Sequence, residues 1–127
     1  MNKKITIAID AMGGENSPTK TIEGINKFIK DNFSKEDFIL NVYGNENLIK
    51  KEFSRLNTPL KFVNIIHTDS VVSDKETPLT AVKNSKNTSM WKCIKSQIEG
   101  NSDISLSAGN TGVLLVISRM ILKMMNE

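Results

Sequence analysis

The sequence predicts an α/β fold: a doubly wound, mostly parallel sheet with helices on both faces. Three observations predict it. Short runs rich in β-branched residues alternate with longer segments whose apolar residues recur every three or four positions. Nearly every run ends in a turn carrying glycine, asparagine or a carboxylate. Strands joined through helices run parallel, and a parallel sheet needs cover on both faces, supplied by right-handed crossovers.

The first run is Ile5-Thr6-Ile7-Ala8-Ile9, ending at Asp10 before Gly13-Gly14. Ser17-Pro18 follows, where Ser suits a helix cap and Pro the first turn. Ile22, Ile25, Phe28 and Ile29 then mark one face of a helix from Pro18 to about Lys30. Phe38 to Tyr43 is the second strand, closed by Gly44, and Leu48, Ile49, Phe53 and Leu56 give the second helix, ending near Asn57-Thr58-Pro59. Leu60 to Ile66 supplies the third strand and delivers His67 at its carboxyl end. Residues Asp69 to Thr77 lack periodicity and form the longest loop. Helical spacing resumes at Pro78, breaks near Asn84 to Thr88, and continues through Met90, Trp91, Ile94 and Ile98 to Gly100. Ile104-Ser105-Leu106-Ser107 is the fourth strand, running into Ala108-Gly109-Asn110-Thr111-Gly112 and a helix from about Val113. That last stretch is strongly apolar but carries Arg119 and Lys123 and falls short of the ~20 residues of a membrane span, so a buried helix is expected.

Length and composition narrow the function. A chain of 127 residues fits one domain. Hydrophobic residues at 39% and charged residues at 24% are ordinary globular usage, which excludes a disordered chain and a membrane-embedded one. Seventeen basic against fourteen acidic side chains give +3, an excess that attracts acidic partners without demanding nucleic acid. Cys93 is the only cysteine and His67 the only histidine, so no internal disulfide and no zinc-type ligand cluster are expected. The apolar run at the amino terminus is too short for an export signal, which suits a cytoplasmic setting.

In open α/β sheets, ligands gather outside the carboxyl ends of the strands, where helix amino termini point their N–H groups. Gly109-Asn110-Thr111-Gly112 is the most informative such loop, because its glycines admit close approach and the helix behind it favours an anion. A tight capped turn explains the same residues without a ligand. The loop matches neither the dinucleotide fingerprint nor a Walker loop. Asp10 with Gly13 and Gly14 could orient a ligand or cap a loop; His67 could move a proton or anchor its own loop. Lys83, Lys86 and Lys92, with Thr88 and Ser89, could meet a phosphate or an acidic protein surface, although a solvated helix face is the commoner reading. Cys93 and Trp91 fall within apolar periodicity and are expected in the core.

Taken jointly, Ile7 to Gly14 through Pro18, Pro78 to Met90 and Ser107 to Gly112 make the chain resemble the bacterial phosphate acyltransferase (PlsX-type) family. The likeness runs over essentially all 127 residues but reaches only the first third or so of a family-length chain. The expectation is therefore a truncated, amino-terminal part of a single domain, with a sheet like that of isocitrate and isopropylmalate dehydrogenases. Departures are Glu15 for the usual Asp, Lys83 for Arg, Thr88 for Ser and Val113 for Ala. Lys83 keeps the charge and loses the bidentate fork.

The resemblance implies acyl transfer from acyl carrier protein to inorganic phosphate, feeding phospholipid synthesis, with no cofactor and no metal. It implies Asp10, His67, Lys83 and Asn110 as catalytic residues, and Gly13, Gly14, Ser89, Ser107, Gly109, Thr111 and Gly112 as phosphate or substrate contacts. It further implies a homodimer at full length and a cytoplasmic enzyme, with peripheral attachment to the inner membrane face left open. Two other readings stand beside it: a catalytically incomplete fragment or binding module, and a related enzyme of the phosphate acetyltransferase type. A dehydrogenase would need metal-binding carboxylates and a cofactor site that the sequence lacks.

Overall fold

The computed structural model describes residues 3–73, 75, 77–83 and 85–123, of residues 81–83 the backbone alone. The elements are β1 (Ile5–Asp10), α1 (Thr19–Asp31), β2 (Phe38–Gly44), α2 (Glu46–Leu56), β3 (Val63–His67), α3 (Pro78–Lys83), α4 (Ser89–Ile98), β4 (Ile104–Ser107) and α5 (Thr111–Leu122). The four strands form one parallel sheet in the order β3-β2-β1-β4. The chain therefore builds outward from β1 to β3, then crosses back to place β4 on the other side of β1.

Each strand forms because its alternate residues have apolar helices to meet on opposite faces. Ile7, Ile9, Leu40 and Val42 face α1 and α2, in a core with Ile22, Ile25, Ile29, Ile49 and Phe53. Ala8, Tyr43 and Ile66 turn to the other face and meet Cys93 of α4. Ile22, Ile29, Leu40, Ile49 and Phe53 are all within 2% of complete burial, each contributing about 1.5–3 kcal/mol relative to exposure. Phe28, Phe33, Phe38 and Phe62 add edge-on and tilted ring contacts, with centroids 4.8 to 6.0 Å apart. Phe38 begins β2 and Phe62 precedes β3, so this cluster seals the amino ends of the strands.

Two helices depart from the sequence expectation. Pro18 occupies the cap position of α1, not its first turn, and Ser17 makes no cap bond. The Ser17 hydroxyl donates instead to the Gly13 carbonyl, fastening the first loop to itself. The second departure is α5, expected to be buried. Val113 and Ile117 are buried against Met90 and Ile94 of α4, but Leu115 is 70% and Met120 53% exposed. The helix packs on α4 and α3, not between layers, so one apolar stripe finds cover and the other faces outward. No helix among the described residues is long and apolar enough to cross a membrane.

Candidate functional site

β1 and β4 are neighbours from which the chain departs to opposite faces, which makes their carboxyl ends the topological switch point where such sheets open a crevice. The register sets Asp10 opposite Ser107 there. Asp10 is 2% exposed, and both carboxylate oxygens are used. Oδ1 accepts from the Ser89 hydroxyl at 2.6 Å and from the Met12 N–H at 3.1 Å. Oδ2 accepts from the Ser107 hydroxyl at 2.8 Å. Ser107 Oγ in turn accepts from the Gly109 N–H at 3.1 Å. One buried carboxylate thus ties together the end of β1, the first residue of α4, the end of β4 and the turn into α5. Hydrogen bonds to an ionised acceptor are the strong kind, so this knot is stiff.

Two glycines make the approach possible. A Cβ on Gly13 would fall 2.7 Å from Asp10 Oδ2 and 2.8 Å from the Gly109 nitrogen. A Cβ on Gly109 would fall 2.6 Å from the Met90 methyl. A side chain at Gly13 pushes the first and fourth loops apart, whereas one at Gly109 displaces the Met90 methyl of α4.

Asn110 caps α5, its Oδ1 accepting from the Val113 N–H at 3.3 Å, and the Leu114 N–H is taken by the Asn110 carbonyl. The amides that the helix itself leaves without an intrahelical acceptor are those of Thr111 and Gly112 in its first turn. Gly109, expected as a ligand contact, gives its amide to Ser107 instead. Thr88 caps α4 in the same way, accepting from the Trp91 N–H, while its own hydroxyl donates to the Ser85 carbonyl at 2.6 Å. That role was legible in Thr88-Ser89 standing before the apolar spacing of Met90 and Ile94. The backbone contact of Met12 carried no sequence signal.

A cleft of about 400 Å³ lined by Gly13, Gly14, Glu15, Lys20, Thr21 and Ala108 opens beside this cluster. A groove of about 430 Å³, walled mainly by Ile7, Ile9, Ile25, Leu40 and Leu106, reaches Asp10 and Ser107 from the α1 side. Behind Asp10, burial pushes the Cys93 thiol up to about 12, with the negative charge of Asp10 adding to the effect. Cys93 is therefore a packed, protonated thiol donating toward the Leu106 carbonyl, with no nucleophilic role at neutral pH.

His67 is not drawn into the cluster. β2 separates β3 from β1, which puts two strand spacings of ~4.8 Å between their backbones. Its Nδ1 accepts from the Glu46 N–H at 3.1 Å and its Nε2 meets Asp69 at 2.7 Å. These contacts join the start of α2 to the loop after β3. Lys83 ends α3, and its side chain lies outside the described residues. Among the described residues, no group of three or more His, Cys, Asp or Glu could hold a metal ion.

A parallel sheet with its order reversing beside β1, and a hydroxyl–carboxylate knot under a capped helix start, defines an α/β protein whose first and fourth strand ends are tied together at the switch point. The profile described as "Fatty acid synthesis protein" matches residues 5–127, and the chain belongs to that family. It is 46% identical over its whole length to a phosphate acyltransferase of Pelagibacter ubique (strain HTCC1062), of which it covers 37%. It is 42% identical over 109 residues, 86% of the chain, to a phosphate acyltransferase of Streptococcus pneumoniae (strain Hungary19A-6), of which it covers 31%. The chain thus spans about a third of the length of these curated relatives.

Proposed function

We propose that this chain supplies the phosphate-holding side of a reaction centre in which an acyl group passes from a carrier-protein thioester to inorganic phosphate. The observation that carries the reading is the Asp10 knot: it fixes the turn into α5 against β1, so that the Thr111 and Gly112 amides keep a set direction at the switch point. The names of the relatives supply phosphate and acyl transfer, and the family resemblance supplies the thioester donor. A phosphate oxygen attacks the thioester carbonyl carbon, the new C–O bond forms as the C–S bond breaks, and the sulfur leaves as a thiolate that takes up a proton. Phosphate is already an anion at neutral pH and a thiolate leaves readily, so the protein's task is positioning and oxyanion stabilisation.

In this assignment Asp10 is a positioning residue acting through Ser89 and Ser107, and Asn110 with Thr111 and Gly112 forms the anion seat. His67 anchors its own loop. The whole protein's substrates are then acyl carrier protein and phosphate, and its product enters phospholipid synthesis. The expected homodimer, cytoplasmic location and peripheral membrane attachment rest on the family resemblance, not on any contact described above.

The test uses a full-length protein carrying this segment. Asn110→Asp keeps an oxygen to cap α5 but places negative charge where the anion would sit. Its melting temperature should stay close to that of the parent, while acyl phosphate formation drops by about 10²-fold or more, the scale of a lost oxyanion donor. Unchanged turnover and phosphate affinity in that variant would falsify the assignment.

A further inference from the structure

Lys86, Lys92 and Lys95, together with Tyr43, Trp91 and Glu99, line a concavity of about 650 Å³ on the α4 side of the sheet, over the ends of β2 and β3. Lys86 and Lys95 are exposed and Lys92 is half-buried. Glu99 is the single carboxylate among the described residues that line it, and it is paired with Lys95 at 3.5 Å. The concavity therefore carries a net excess of two positive charges over an aromatic floor. Its place also matters: Ser89, which bonds Asp10, opens the helix on which Lys92 stands three residues later.

We infer that this basic concavity is the docking surface for the thioester-bearing carrier protein, which would present carboxylates from a helix to Lys86, Lys92 and Lys95. The inference rests on the acyl-transfer reading and names the partner's seat within it. Charge complementarity is the physical basis: Glu99 offsets Lys95, and the remaining excess of positive charge from Lys86 and Lys92 steers an acidic partner to this face and fixes its register. Docking along α4 sets the carrier on the same helix whose first residue, Ser89, bonds the Asp10 knot. Trp91 and Tyr43 provide the apolar contact that charge alone would not give.

Trp91 is the only tryptophan of the chain, so its fluorescence reports directly on this surface. Titration of the 127-residue chain with acyl-loaded carrier protein should give a saturable fluorescence change. Binding should weaken by about tenfold or more as ionic strength rises from roughly 0.05 to 0.5 M. The triple variant Lys86→Glu, Lys92→Glu, Lys95→Glu should lose binding by ~10- to 100-fold. Lys27→Glu on α1, across the sheet, should bind as the parent does.

In a full-length protein the triple variant should raise KM for the carrier thioester and leave turnover of a small acyl thioester unchanged. Equal losses on both thioesters would place the lysines in the reaction centre and overturn the docking assignment. Unchanged KM for the carrier thioester would overturn it while leaving the acyl-transfer reading intact. Saturable binding to anionic phospholipid vesicles with none to the carrier protein would also overturn it. Absence of acyl phosphate from the unmodified full-length protein with either thioester would remove the acyl-transfer reading itself.

Discussion

The two ends of the sheet are built from opposite materials. At the amino ends of the strands, Phe28, Phe38 and Phe62 close the core with rings 4.8 to 5.0 Å apart. At the carboxyl ends, a buried carboxylate, two hydroxyls and two glycines occupy the same depth. The first end gains stability from apolar area that leaves water. The second places a carboxylate and backbone amides in the interior and holds them there by hydrogen bonds whose net worth is small but whose loss is expensive. One end keeps the sheet together, and the other keeps a few atoms in place.

The sharpest way to separate the ends is to damage them singly. Phe38→Ala should cost about 3–5 kcal/mol in urea unfolding, because the ring is 5% exposed and its neighbours cannot collapse into the space. Hydrogen exchange at Gly109 should change only as far as global stability does. Asp10→Asn should cost less, about 1–3 kcal/mol for a network left partly unpaired. Its signature is local: the Gly109 amide should exchange faster than global unfolding accounts for, since Ser107 loses its fixed acceptor. If exchange at Gly109 simply follows stability, the carboxylate is not what orders that turn.

Alkaline pH gives a smaller effect with a definite sign. An unfolded thiol loses its proton near ~8.5, whereas Cys93 in the folded protein holds it up to about 12. Between those values the unfolded chain binds fewer protons, so stability falls as pH rises from about 8.5 toward 12. Burial raises the Tyr43 hydroxyl as well, in the same direction. Cys93→Ala should flatten the decline in denaturation midpoint between pH 8.5 and 10.5, and an unaltered slope would show that the thiol stays accessible. The smallest effect belongs to the Lys61–Glu36 pair, 2.6 Å apart but at least 60% exposed on both sides. Lys61→Gln should leave the melting temperature within experimental scatter, because solvent screens such pairs.

Much of the layout was legible because each unit announces itself locally. Ile104–Ser107 was readable to the residue, and the break between α3 and α4 showed in Asn84 to Thr88 losing apolar spacing. The strand order was not legible, since handedness rules fix the side of a crossover and not where the strand lands. The same gap misplaced His67: a strand end near the crevice in sequence terms turns out to lie two strands from Asp10. The convergence of Asp10, Ser89 and Ser107 needs contacts across 79 and 97 residues, which no local pattern records. Gly109 was read as admitting a ligand to the backbone, while the direction of its amide depended on a hydroxyl two positions earlier. The exposed stripe of α5 escaped notice because apolar content says that a helix wants cover and not whether it finds it.

The sharing of one carboxylate by two hydroxyls has a consequence for how the protein can change over generations. With Asp10 serving Ser89 and Ser107 at once, loss of the carboxylate strands both hydroxyls, whereas loss of either serine leaves the other bonded, so the damage from single changes does not sum. Positions 10, 89 and 107 are therefore expected to drift together or not at all, and a lineage that exchanges one of them must find its way through a less stable intermediate.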